Sequence, residues 1–226
     1  MIRKYILFLI SSIFFSCISK NEKTPQDISQ KRDGKEIIAE LEKLHLFNLT
    51  DATELEAVKV DYEKSYTEYH FFQGPTRKES LGFMDNRYHF VDCEALFEEG
   101  GLTKYLQQVQ ITFAKLGLQL AYGNEKSEQD ETSWKHTIEL NGIKYTAFDG
   151  AFTGNAWSIA FINFLEMLNA ELKRQNSEEQ FYPIRGGNDG SFVLLTPQQF
   201  KFVQQNYPRD NDHPKTIAAW KSANGF

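Results

Sequence analysis

Apolar residues recur along this chain at spacings of three and four in some stretches and at alternate positions in others. The densest stretch is Gly154–Lys173, GNAWSIAFINFLEMLNAELK. Its polar residues Ser158, Glu166, Asn169 and Lys173 fall on a narrow stripe, and apolar side chains cover most of the remaining circumference. A helix of that kind is buried on several sides. The pattern therefore predicts one central buried helix near 155–173, opened by Asn155 as N-cap. At about 1.5 Å per residue it spans a small domain. Asn163, Glu166 and Asn169 make it too polar to cross a membrane.

Around this helix the pattern changes to alternation. Trp134–Leu140 and Ile143–Phe148 read as strands joined by Asn141-Gly142, a dipeptide suited to a type I′ turn because both central residues need positive φ. Gln180–Ile184 and Ser191–Leu195 read as a second antiparallel pair, joined by Arg185–Gly190. Further strands are expected at His70–Gln73, Arg87–Glu94 and Leu118–Tyr122, with Gly123–Thr132 as a charged surface loop. Helical spacing marks three more stretches: Lys35–Leu46; a segment from Thr50 carrying Leu55, Val58, Tyr62, Tyr66 and Tyr69; and Thr103–Leu116, stopped by Gly117. Thr196-Pro197 opens another helix, with the proline in its first turn, and Thr216–Ser222 forms a short last one. Local hairpins favour antiparallel pairing. The expected fold is one α+β domain over residues 35–226, a mainly antiparallel sheet of five or six strands with helices packed on it.

Composition narrows the partners. A chain of 226 residues with 14% aromatic content has the material for a real core. Its formal charge of −6 disfavours nucleic acid, whose phosphates would be repelled, and equally disfavours adhesion to anionic lipid by charge. Membrane attachment then has to be hydrophobic or covalent.

The N-terminus offers such an attachment. MIRKYILFLISSIFFSC carries Arg3 and Lys4, then the apolar run Tyr5–Phe15, then Ser16-Cys17. A basic start and an apolar run of this length fit a secretory signal, and the run is shorter than the roughly 20 residues of a stable span. Phe14-Phe15-Ser16-Cys17 resembles the lipobox of bacterial lipoprotein precursors, with Phe14 in place of the usual Leu and a bulkier second residue. The resemblance implies diacylglyceryl transfer to Cys17, cleavage before it and acylation of the new amine. Such a palmitate-type anchor would hold the chain in the bacterial cell envelope, several acyl chains giving stable attachment. The alternatives are an ordinary signal peptide cut nearby or an uncleaved anchor. On this reading residues 1–16 are a signal peptide and 17–34, polar and aperiodic, a flexible tether. The rest of the chain carries no motif that names a family. With Cys17 lipidated, Cys93 has no disulfide partner within the chain and reads as a small buried hydrophobe.

Candidate chemistry is sparse. The five histidines, His45, His70, His89, His136 and His213, include no pair four residues apart, and there is no Cys-x-x-Cys, so neither a metal nor a cofactor is expected. No nucleophile elbow or phosphate-binding loop occurs. Asp92 and Glu94 alternate on a predicted strand and so share a face; as general acid and base they could act on a glycosidic bond. Exposure at a strand end or pairing with Arg87 explains them equally. Arg185-Gly186-Gly187-Asn188-Asp189-Gly190 is the most distinctive loop, its glycines permitting close approach by a partner, although hairpin chemistry alone accounts for them. The acidic face Glu54, Glu56, Asp61, Glu63 and Glu68 reads as solvated, or as a docking surface for a basic partner. Trp134, Tyr145 and Trp157 could line a small-ligand pocket. An anchor and tether on a domain without catalytic signature point to a non-catalytic binding or interaction lipoprotein, an immunity-type protein being one version. It would meet the membrane through lipid on Cys17 and act on a protein partner. The alternative is a carboxylate-dependent hydrolase of envelope polymers.

Overall fold

The apolar stretch at the centre of the pattern forms helix α5, Ala156–Arg174, in a computed structural model that describes residues 32–68, 71–77, 82–208 and 210–226. These residues belong to one compact unit, Lys31–Phe226. The lipobox with Cys17, as well as Tyr69 and His70, lies outside the described residues. Asn155 precedes α5 but makes no side-chain cap bond, contrary to expectation; its φ of −102° and ψ of 0° are not the extended geometry that aims a cap at the first turn. The far end closes as a Schellman motif: Asn176 adopts φ 59°, and Ser177 N–H donates to Leu172 C=O at 3.0 Å.

Among the described residues six strands form, but they do not make one sheet. Tyr88–Asp92 (β1), Gln180–Arg185 (β5) and Asp189–Leu195 (β6) pair in the order β1-β6-β5, and Tyr122–Gln129 (β2), Trp134–Leu140 (β3) and Ile143–Gly150 (β4) in the order β2-β3-β4. All four pairings are antiparallel. The separation follows from α5, which packs against β4 of one sheet and β5 of the other. One cluster joins Ile138, Leu140 and Ala147 of the second sheet to Phe181, Phe192 and Leu194 of the first through Phe161, Leu165 and Leu168 of the helix. A helix apolar on nearly every side serves two sheets, and that use of its surface is why the sequence makes it so.

The first sheet is also covered on its other face. Tyr88, Tyr182, Val193 and Leu195 pack there with Ile37 and Leu41 of α1 (Gly34–Lys43) and Val58, Tyr62 and Tyr66 of α2 (Leu55–Glu68). Val203 of α6 (Pro197–Asn206) completes the layer with Phe72 and Tyr207. Asp33 with Glu36, and Thr196 with Gln199, form capping boxes for α1 and α6.

The Asn141-Gly142 turn forms as predicted, with φ of 48° and 80° and Leu140 opposite Ile143. Four other expectations change. The strand expected at Leu118–Tyr122 does not form: residues 118–121 are irregular and β2 begins at Tyr122. Residues 71–75 are irregular rather than a strand: Phe72 N–H donates to the Asp210 carboxylate, and the Tyr88 ring lies against Gly74 where a neighbouring strand would run. The strand expected to reach Glu94 stops at Asp92, whose carboxylate accepts from Ala95 N–H at 3.1 Å and starts a one-turn helix, Cys93–Phe97 (α3). The expected loop 123–132 is mostly strand β2; its half-buried positions are the polar Glu125 and Ser127, so no apolar alternation marks it. Gly101–Lys115 (α4) ends at Gly117 as expected, with φ 72° and Leu118 N–H donating to Phe113 C=O at 2.9 Å. Thr216 caps the last helix, Ile217–Ala223 (α7).

Candidate functional site

In the first sheet Tyr88 faces Val193, Phe90 faces Ser191 and Asp92 faces Asp189. Alternation puts these pairs on one face. Burial falls along it: Tyr88 and Val193 are buried, Phe90 and Ser191 half-buried, Asp92 and Asp189 exposed. The covering layer stops short of the end of the sheet, and the gap is a pocket of about 310 Å³. Its walls are Phe71, Phe72, Phe83, Tyr88, Phe90 and Ile184, and its lining is completed by Gln73, Gly74 and Thr76 from the segment after α2, by Arg185, Asp189, Gly190 and Ser191 of the hairpin, and by Asp212.

The structure thus places part of the 185–190 stretch at a cavity, and revises its make-up. Arg185 closes β5 while Asp189 and Gly190 open β6, so only Gly186, Gly187 and Asn188 connect the strands. Two of the glycines answer to packing. A Cβ on Gly186 would lie 2.3 Å from the Trp220 ring, and one on Gly190 would lie 2.7 Å from Phe161 and 2.9 Å from Cys93 Sγ. Gly187 alone has a backbone reason, φ 108°. Arg185 Nη2 donates to Asp212 Oδ2 at 2.6 Å, tying the hairpin to the segment after α6.

The electrostatics of this rim follow from register. Leu194 N–H donates to Arg87 C=O at 2.9 Å and Cys93 N–H to Asn188 C=O at 2.8 Å. Asp92 and Asp189 are therefore a non-hydrogen-bonded pair, the kind whose side chains approach most closely, and like charges so placed repel. Burial pushes the Cys93 thiol up to about 12, with the two carboxylates adding to it, so the sulfur stays protonated and unreactive. Asp92 is engaged as the α3 cap. Among the described residues the Asp189 carboxylate has no hydrogen-bond or ion-pair partner.

The other candidates disperse. Glu94 lies in the first turn of α3, so Asp92 and Glu94 do not share a strand face; the chain turns into a helix between them. Arg87 pairs with neither. It is fully buried, its Nε donating to Leu46 C=O at 2.6 Å and Nη1 to Leu194 C=O at 3.1 Å, with Asn48 on Nη2 and Glu179 at 3.6 Å. On the acidic face, Glu54 holds Arg77 through two bonds of 2.9 and 2.8 Å, and Glu56 pairs with Lys59. Trp134 donates to Ser127 at 2.6 Å, Tyr145 donates to Glu171 at 2.6 Å and Trp157 packs against two core clusters, so each is engaged in packing or hydrogen bonding. Among the described residues no three His, Cys, Asp or Glu side chains are grouped to hold a metal ion, and no helix is long and apolar enough to cross a membrane. Sequence reasoning missed Phe72, Phe83, Phe90, Ser191 and Asp212. The alternation of Tyr88, Phe90 and Asp92 could have suggested one face of the pocket, but nothing local could have brought Asp212 to it. Compared with known proteins, the chain matches no family model, no curated protein and no solved structure.

Proposed function

We propose that this chain is a lipoprotein of the bacterial cell envelope, anchored by acyl chains on Cys17, whose domain is a non-catalytic binding module; an immunity-type protein is one form of it. The pocket at the open end of the first sheet carries this reading. It is concave and walled largely by aromatic rings, with polar groups from three segments, Gln73 and Thr76, Arg185, Asp189 and Ser191, and Asp212, set among them, as recognition sites are. The hydrolase alternative has less support, because Asp92 serves as a helix cap and Glu94 points from a different element.

The test is affinity capture from detergent-solubilised cells using the full-length protein and its Ser191→Phe variant, which fills the pocket. The expected result is a stoichiometric protein partner on the wild type and its loss from the variant at unchanged melting temperature. No partner on the wild type, or equal capture by both, overturns the reading. Separately, Cys17→Ala should abolish incorporation of labelled palmitate and move the protein out of the membrane fraction; unchanged labelling refutes the anchor.

A further inference from the structure

Resting on the binding-module reading, we infer that the pocket receives a lysine or arginine side chain of a basic protein partner. Its volume of about 310 Å³ lies at the small end for ligand sites and suits one long side chain better than a whole cofactor. The half-buried Phe83 and Phe90 offer aromatic surface to a cation and apolar surface to the methylene stem that carries it, and the buried Phe72 and Tyr88 complete the apolar wall.

Charge at the rim decides between a cation and a neutral apolar group. Arg185 and Asp212 neutralise each other at 2.6 Å. Asp189 remains without a partner among the described residues, and Asp92 directly opposite adds a second negative charge. A guanidinium or ammonium head arriving at Asp189 relieves the repulsion between the two carboxylates and gains a charge-assisted hydrogen bond. The chain's formal charge of −6 steers a basic partner towards it. An acidic or phosphorylated partner meets the opposite field.

Calorimetric titration of the detergent-solubilised full-length protein with three synthetic peptides tests this. The peptides are identical except for a central arginine, norleucine or glutamate. The arginine peptide should bind about tenfold more tightly than the norleucine one, and the glutamate peptide should not bind. Asp189→Asn should shrink the arginine preference about fivefold, and Ser191→Phe should abolish binding of both. Should Ser191→Phe fold poorly, Asp189→Lys at the exposed rim replaces it. Equal affinity for arginine and norleucine, an unchanged preference in Asp189→Asn, or no binding of the arginine peptide overturns the inference. So does tighter binding of tetramethylammonium than of the arginine peptide, which reassigns the site to small organic cations. Capture of the cellular partner separates the two levels. If Ser191→Phe loses it while Asp189→Asn keeps it in full, the binding module stands and the cationic ligand falls; if neither loses it, both fall.

Discussion

The two three-stranded sheets have strands of similar length and are held in different ways. The first has cores on both faces, Val91, Phe181, Phe192 and Leu194 on one side and Tyr88, Tyr182, Val193 and Leu195 on the other. Its buried polar anchor is Arg87, fixed by carbonyls of Leu46 and Leu194. The second buries Ile138, Leu140, Ala147 and Phe148 on one side and exposes Lys135, Lys144 and Thr146 on the other. It is pinned by carboxylates. Glu171 accepts from Asn141 at 2.8 Å and Tyr145 at 2.6 Å, attaching the hairpin to α5. Glu125 accepts from His136 at 2.7 Å and from backbone N–H groups of Gly100 and Thr103 at the start of α4. A sheet with two buried faces can leave a pocket at its end without losing its place. A sheet with one buried face needs specific polar fixings.

On that distinction the largest loss comes from Arg87→Met. It leaves the Leu46 and Leu194 carbonyls and Glu179 without their buried cation, a change expected to cost about 3–5 kcal/mol in urea unfolding. Glu171→Leu should cost less, about 1–3 kcal/mol, because part of its network reaches solvent through Arg174. A reversed order would show that polar fixing matters more in the first sheet's rival than in the first sheet itself.

Acid should then attack the two sheets in sequence. His89 stacks on the Phe192 ring at 5.1 Å and meets Phe181 edge-to-face at 5.8 Å, and burial lowers its pKa from 6.5 to about 4. The folded state resists a proton that the unfolded chain accepts, so stability is full above about 6.5 and falls as pH drops towards 4. The gap corresponds to about 3 kcal/mol. His89→Phe should flatten this part of the pH profile of unfolding, and a profile unchanged by the substitution would remove His89 as its cause. Gly190→Ala is the next smaller effect. Its methyl group must displace the Phe161 ring or the Cys93 sulfur, at an expected cost of about 1–3 kcal/mol. A variant as stable as wild type would mean that α5 shifts freely against the first sheet, contrary to its role as the shared core.

What the sequence disclosed follows the same division. The period of α5, the Asn141-Gly142 turn and the Thr196-Pro197 start were legible because each rests on local chemistry: a hydrophobic stripe, positive φ, a cap. Strand β2 was hidden because Glu125 and Ser127 occupy its inward positions, and they face inward to meet His136 and Trp134, partners set by tertiary structure. The site was legible only in part. Arg185–Gly190 is conspicuous for its glycines, yet Gly186 and Gly190 are small because Trp220 and Phe161 press on them, a fact of packing. The aromatic walls come from separated segments, and Asp212 joins them through its ion pair with Arg185 and through Asp210, whose carboxylate accepts from both Asp212 N–H and Phe72 N–H.

The smallest effect concerns Glu125, the fixing of the second sheet that doubles as the cap of α4. Partial burial would by itself raise its pKa, but hydrogen bonds from His136 and Thr103 outweigh burial and hold it at about 2, below the ordinary 4.5. A carboxylate depressed in this way stabilises the fold above about 4.5 and loses that contribution as pH falls towards 2, so its acid limb lies below that of His89. Glu125→Gln keeps an oxygen for one α4 amide but gives up the charge at the helix N-terminus, at an expected cost of about 1 kcal/mol near neutral pH. Because the removed charge is the one that titrates, the difference between wild type and variant should narrow when urea unfolding is repeated at pH 3. A difference that stays constant from pH 6 to pH 3 would mean that the neutral hydrogen bonds carry the α4 cap. The second sheet would then be pinned by geometry alone, and the contrast with the first sheet would be one of burial without a role for charge.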